Sequence, residues 1–169
     1  KAGAPGAALE LKVDSYVLET DVHFPTDLNL LWDAGRKCVD LIAGFRASGY
    51  ALPGWRKAKD WRRQLKNLQR TTSQVVYRGG PNKEPRVKSA VRDYLSVGHA
   101  LAAKVQSSLL ELCDLSVCAT RWAKLEYFHR MLAKHLDLVA RRLLHEETIP
   151  AHEKVFSLFE PHTEWIQKG

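Results

Sequence analysis

Asp14 stands in the middle of the stretch Leu-Lys-Val-Asp-Ser-Tyr-Val at positions 11–17. A carboxylate inside an apolar strand is costly unless it is exposed, paired or bound to a metal. A surface strand position and a ligand role are therefore both open for it. Glu126-x-x-His129 matches half of the carboxylate–histidine motif of di-iron bundles. Such a site needs a second copy and two more glutamates. No second copy exists, so His129, which falls on an apolar stripe, is expected to be a core histidine. His145-Glu146 and His152-Glu153 do not form H-E-x-x-H, because the second histidine comes seven residues on instead of four. Cys113 and Cys118 lack the second ligand pair of a structural zinc site. With Cys38 they make an odd number, so reduced thiols are expected in place of a disulfide framework. Phosphate-binding loops, dinucleotide fingerprints and serine-nucleophile elbows are absent.

The charge distribution is more informative. The chain has 26 Lys/Arg, 19 Asp/Glu and a net charge of +7. Residues 55–92 hold twelve of the cations against only Asp60 and Glu84, a local charge of +10, so the remainder is net acidic. A field this localised attracts polyanions; a solvated helix face is the plainer alternative. At 100° per residue, a helix over 55–72 places Trp55, Ala58, Trp61, Leu65 and Leu68 on one arc. Arg56, Lys59, Arg62, Arg63, Lys66 and Arg70 take the adjoining arc, with Lys57 outside it and Asp60 on the far side. Arginine forks and lysine point charges suit a phosphate backbone. Trp55 and Trp61 are expected to be core, with base stacking as the alternative.

These side chains need elements to hold them. Residues 9–24 have the β-propensity and period-two alternation of strands, stopped by Pro25. Thr26 suits an N-cap and Asp27 a first helical turn. Apolar periodicity predicts helices over 28–46, 55–72, 84–113 and 118–145, with a short one over 151–159. Ser48-Gly49, Pro53-Gly54 and residues 78–82 are the breaks. The two long helices have matching stripes and a short turn, which predicts antiparallel packing. The expected class is mainly α: an antiparallel helical bundle preceded by a short β-strand or hairpin. Two strands alone are marginal and should pair with something beyond this chain. Residues 1–8 read as a linker with no secretory h-region, and the absence of an initiator Met suggests a piece of a longer chain. No run of 18 apolar residues predicts a membrane span. With 45% hydrophobic residues a real core is expected.

Residues 13–37, VDSYVLETDVHFPTDLNLLWDAGRK, resemble the start of the DDE domain of insertion-sequence transposases of the ISNCY group. Residues 153–169, EKVFSLFEPHTEWIQKG, are similar to a second block of the same family, in the right order. The resemblance implies a ribonuclease-H-like core in which three carboxylates hold two Mg²⁺ ions about 3.5–4 Å apart. Asp14 matches the first of them, as catalytic and metal-binding residue; Asp21 stays open as the alternative ligand. Asp27 and Asp33 read as helix-start and helix-face residues. On this reading residues 9–27 are the first strands of the core, 28–148 a helical bundle insertion and 149–169 the return segment. The family's second Asp and its Glu lie beyond the tail block, so this piece is expected to be inactive alone and to bind Mg²⁺ weakly. The implied partner is DNA, as transposon end or target, with self-association as a further one and no membrane. The implied setting is the prokaryotic cytoplasm. The alternative is a self-contained helical module that binds nucleic acid or protein without catalysis.

Overall fold

The computed structural model describes residues 26–113, 115 and 117–159. The linker, the strands read over 9–24, Asp14 and Asp21 lie outside the described residues. Four helices carry the fold: α1 (Asp27–Ala47), α2 (Ala58–Tyr77), α3 (Lys83–Cys113) and α4 (Ala119–Leu143). No strand occurs among the described residues.

Local chemistry explains the boundaries. Thr26 Oγ1 accepts the Asn29 amide at 3.2 Å, and Asp27 sits in the first turn, where a negative charge favours the helix dipole. Gly49, at φ +92°, takes the left-handed turn that ends α1. Pro85 lies in the first turn of α3, where its missing N–H costs nothing.

Cross-helix bonds fix the directions. Gln69 Nε2 donates to Asn29 Oδ1 at 2.7 Å, and Arg62 reaches Asp40, so α2 runs against α1. Thr72 donates to the Ala90 carbonyl and Trp55 to Ser108, so α3 runs against α2. Trp122 donates to the Leu109 carbonyl, and His129 Nε2 lies 3.1 Å from the Ala102 carbonyl, so α4 runs against α3. Arg142 pairs with Asp27, bringing the end of α4 beside the start of α1. The result is an up-down-up-down bundle in which α1 and α3 are diagonal. Leu31, Ile42, Leu65, Leu101, Leu125 and Leu132 are fully enclosed in one core cluster. Two helical glycines let helices approach closely: a Cβ on Gly35 would overlap Leu65, and one on Gly98 would overlap Leu136.

Two predicted boundaries need correction. The basic helix begins at Ala58, three residues later than its periodicity suggested, and runs on to Tyr77. Trp55 belongs to the connector, where the fold needs a buried plug and not a helical turn. The short helix read over 151–159 is only a 3₁₀ turn, Ala151–Glu153. A helix that short is marginal, and tertiary contacts hold the segment as a strap. Arg141 binds Asp137, Glu147 and Glu153. The Tyr127 hydroxyl donates to the Leu158 carbonyl at 3.0 Å, and Leu158 enters the core.

His135 on α4 is fully enclosed. Its Nδ1 lies 2.7 Å from the Met131 carbonyl, which assigns the proton to Nδ1 and leaves Nε2 without a hydrogen-bond partner among the described residues. Burial holds its pKa below the usual 6.5, outweighing the Met131 hydrogen bond and the Asp27 charge. The unfolded chain therefore takes up the proton first as pH falls. Stability is fully present above about pH 6.5 and is lost as pH descends toward the lower folded-state value. Glu84 and Glu153 titrate below the ordinary carboxylate range in the fold, so their contribution is lost only in more acid solution. Urea midpoints should drop between pH 7.5 and pH 5, and His135→Leu should flatten that drop. An equally steep drop in the variant would show that another group is responsible.

Candidate nucleic-acid interface

The basic face is built on α2, a helix with few fully buried residues, although Ala58, Trp61, Leu68 and Val76 pack half-buried against the core. Only Leu65, Gln69 and Thr72 are buried along it, and two of these anchor through hydrogen bonds to α1 and α3. Opposite this seam the helix is exposed. Lys59, Arg63 and Arg70 all lie on that exposed side. From Lys59 to Arg70 the ridge is about 16 Å long at 1.5 Å per residue.

The six predicted contact residues divide by environment. Arg56 is exposed but lies in the connector, next to the buried Trp55, and not on the helix. Lys59 and Arg70 are exposed, with no ion pair among the described residues. Arg62 leans toward α1, where its Nη1 is 3.2 Å from Asp40; Arg36 in turn holds Asp33 and Asp40. Arg63 pairs with Asp60 at 3.1 Å. This corrects the reading of Asp60 as on the far side: residues three apart on a helix are neighbours. Both arginines are exposed in these pairs, which are weak and open to exchange for a phosphate. Lys66 is half-buried, with its ammonium 4.9 Å over the Trp32 ring. Its pKa is lowered, first by burial and then by Arg70 and Arg36, with Asp33 acting the other way.

The start of α2 adds a signal that residue spacing did not give. Lys57 is the N-cap and offers no side-chain capping bond. Helix N-termini favour acids, yet Arg56, Lys57 and Lys59 crowd this one, with Asp60 as the single acid of the first turn. The cations add to the positive end of the dipole instead of opposing it, which raises the field an anion would meet.

The other candidate sites resolve into structure. Trp55 is 1% exposed and belongs to the core; Trp61 packs against it half-buried. His129 is half-buried at a backbone carbonyl, as a satisfied core histidine. Glu146 pairs with Lys88 and Glu153 with Arg141. The three cysteines are free; Cys38 is buried, and its burial raises the thiol pKa. Among the described residues, no three His, Cys, Asp or Glu side chains are placed to hold a metal ion. No described helix is long and apolar enough to cross a membrane.

The geometry therefore defines a class, an antiparallel four-helix bundle with a cationic ridge on one outer helix. Comparison with protein-family models, with curated proteins and with solved structures gives no significant match.

Proposed function

We propose that the chain is the leading part of a DDE transposase catalytic domain and that its bundle is an insertion gripping DNA, transposon end or target, along α2. The observation that carries the DNA contact is the line of exposed cations that begins at the uncapped N-terminus of α2 and continues to Arg70. Its role is to neutralise phosphates and set the orientation of the duplex. The Asp27–Arg142 pair supports the insertion reading, because a segment inserted into another domain needs its ends side by side. The two sequence blocks at 13–37 and 153–169 support the family.

In this reading the ribonuclease-H-like core includes residues 9–27, and Asp14 is the first metal ligand, with Asp21 the alternative. Bound Mg²⁺ would supply activation of the attacking oxygen and stabilisation of the leaving oxygen. Among the described residues, no group of three His, Cys, Asp or Glu side chains forms such a ligand set. The cell compartment that goes with this reading is the prokaryotic cytoplasm, and self-association is a further partner.

Reading the gene past codon 169 tests the proposal. An open frame should supply an Asp on a new strand and then a Glu on a later helix. In that longer protein, Asp14→Asn should abolish Mg²⁺-dependent strand cleavage and leave duplex binding unchanged. Retained cleavage would overturn the assignment of Asp14. A stop directly after Gly169 would favour the second reading, a self-contained module that binds nucleic acid or an acidic protein. The closed core from α1 to α4 is the observation on its side.

A further inference from the structure

The ridge of α2 does not stop at Arg70. Seven residues on, two helical turns further along the same line, stands Tyr77, the last residue of the helix. It is 65% exposed, the most exposed large hydrophobic side chain among the described residues. It makes no hydrogen bond or ring contact among them, and the packing of the bundle does not use it. A single exposed apolar side chain is ordinary on a protein surface; the cations that follow this one in the chain set it apart.

Arg78, Lys83 and Arg86 follow it in the chain, all exposed and without an ion pair among the described residues. The one acid nearby, Glu84, is taken by Lys88, which is also held by Glu146. The loop between the helices is compact. Gly80 at φ +121° and Asn82 at φ 52° turn the chain, and Arg86 lies close enough to touch a side chain placed on Gly80. The α2–α3 hairpin tip therefore carries an exposed aromatic side chain and, within nine residues of it along the chain, three exposed cations. Aromatic faces with flanking cations bind unstacked nucleotides, the ring against the base and the cations against phosphates. A base inside a duplex offers no free face for such a ring.

We infer that the α2–α3 hairpin tip binds an unpaired nucleotide through Tyr77, so that α2 and its tip together take a junction between duplex and single strand. The junction rests on the duplex reading of the ridge; the single-strand contact at the tip does not.

Fluorescence anisotropy with the 169-residue chain tests this with three labelled probes: a blunt 20-base-pair duplex, the same duplex with a six-nucleotide overhang, and oligo(dT). The overhang probe should bind about tenfold more tightly than the blunt one, the expected scale of one stacked base. Tyr77→Ala should erase that difference and leave blunt-duplex affinity unchanged, whereas Tyr77→Phe should keep it. Equal binding of blunt and overhang probes overturns the inference, as does a preference that survives Tyr77→Ala. Tyr77-dependent binding of oligo(dT) without any blunt-duplex binding would support the tip and remove the ridge reading.

Discussion

Trp55→Ala should cost about 3–5 kcal/mol, the largest single-residue loss of stability expected in this bundle. The side chain is 1% exposed and closes the end of the bundle where the α1–α2 connector crosses it. Its Nε1–H donates to Ser108 Oγ on α3 at 2.8 Å, and its carbonyl accepts Arg46 Nη1 of α1 at 2.7 Å. Lys104 of α3 lies 5.3 Å over its ring. Truncation would leave a cavity bordered by three elements and would remove the partner of a buried hydroxyl. Ser108 keeps its bond to the Lys104 carbonyl, so Trp55→Phe should cost clearly less. Denaturant midpoints with an unchanged slope would measure both. A loss below about 1 kcal/mol for the alanine variant would mean that the connector does not seal the core.

The second large effect concerns the ridge. Replacing Arg56, Lys59, Arg63 and Lys66 together by alanine should weaken duplex binding on the order of 100-fold at low salt. The salt dependence should also shrink, by about 0.9 in log–log slope for each lost phosphate contact. Lys66 covers Trp32 as well, so part of its loss could be packing. The triple variant that keeps Lys66 is the control, with a slope reduction of roughly 2.7. Circular dichroism should be unaltered in the triple variant, because its three side chains are exposed. Unchanged affinity in both variants would remove α2 from the interface.

The helices were legible in the sequence where apolar spacing and end chemistry agreed. Thr26 caps α1 through the bond its residue type predicts, and α3 and α4 begin and end within two residues of their stripes. The start of α2 was misread because Trp55, Ala58 and Trp61 repeat at helical spacing. Trp55 is buried for a different reason, as a plug over α3, and only tertiary structure distinguishes the two. The 151–159 strap was misread for the same cause: its apolar residues answer to Tyr127 and the core, not to a helix of their own.

The candidate interface was half legible. The +10 segment and its helical arc stand in the sequence, and all six predicted cations lie on α2 or its connector. The pairing of Arg62 with Asp40 depends on the register between α1 and α2, which spacing within one helix cannot supply. The Asp60–Arg63 pair was available from i, i+3 spacing and was missed. Tyr77 carried no signal until its exposure was known.

The most direct measurement is the affinity of the unmodified 169-residue chain for a 20-base-pair duplex across a series of salt concentrations. If Arg56, Lys59, Arg63, Lys66 and Arg70 each meet a phosphate, log affinity should fall against log salt with a slope of roughly −4 to −5. A slope near zero, or no binding at the lowest salt, would contradict a DNA-gripping bundle.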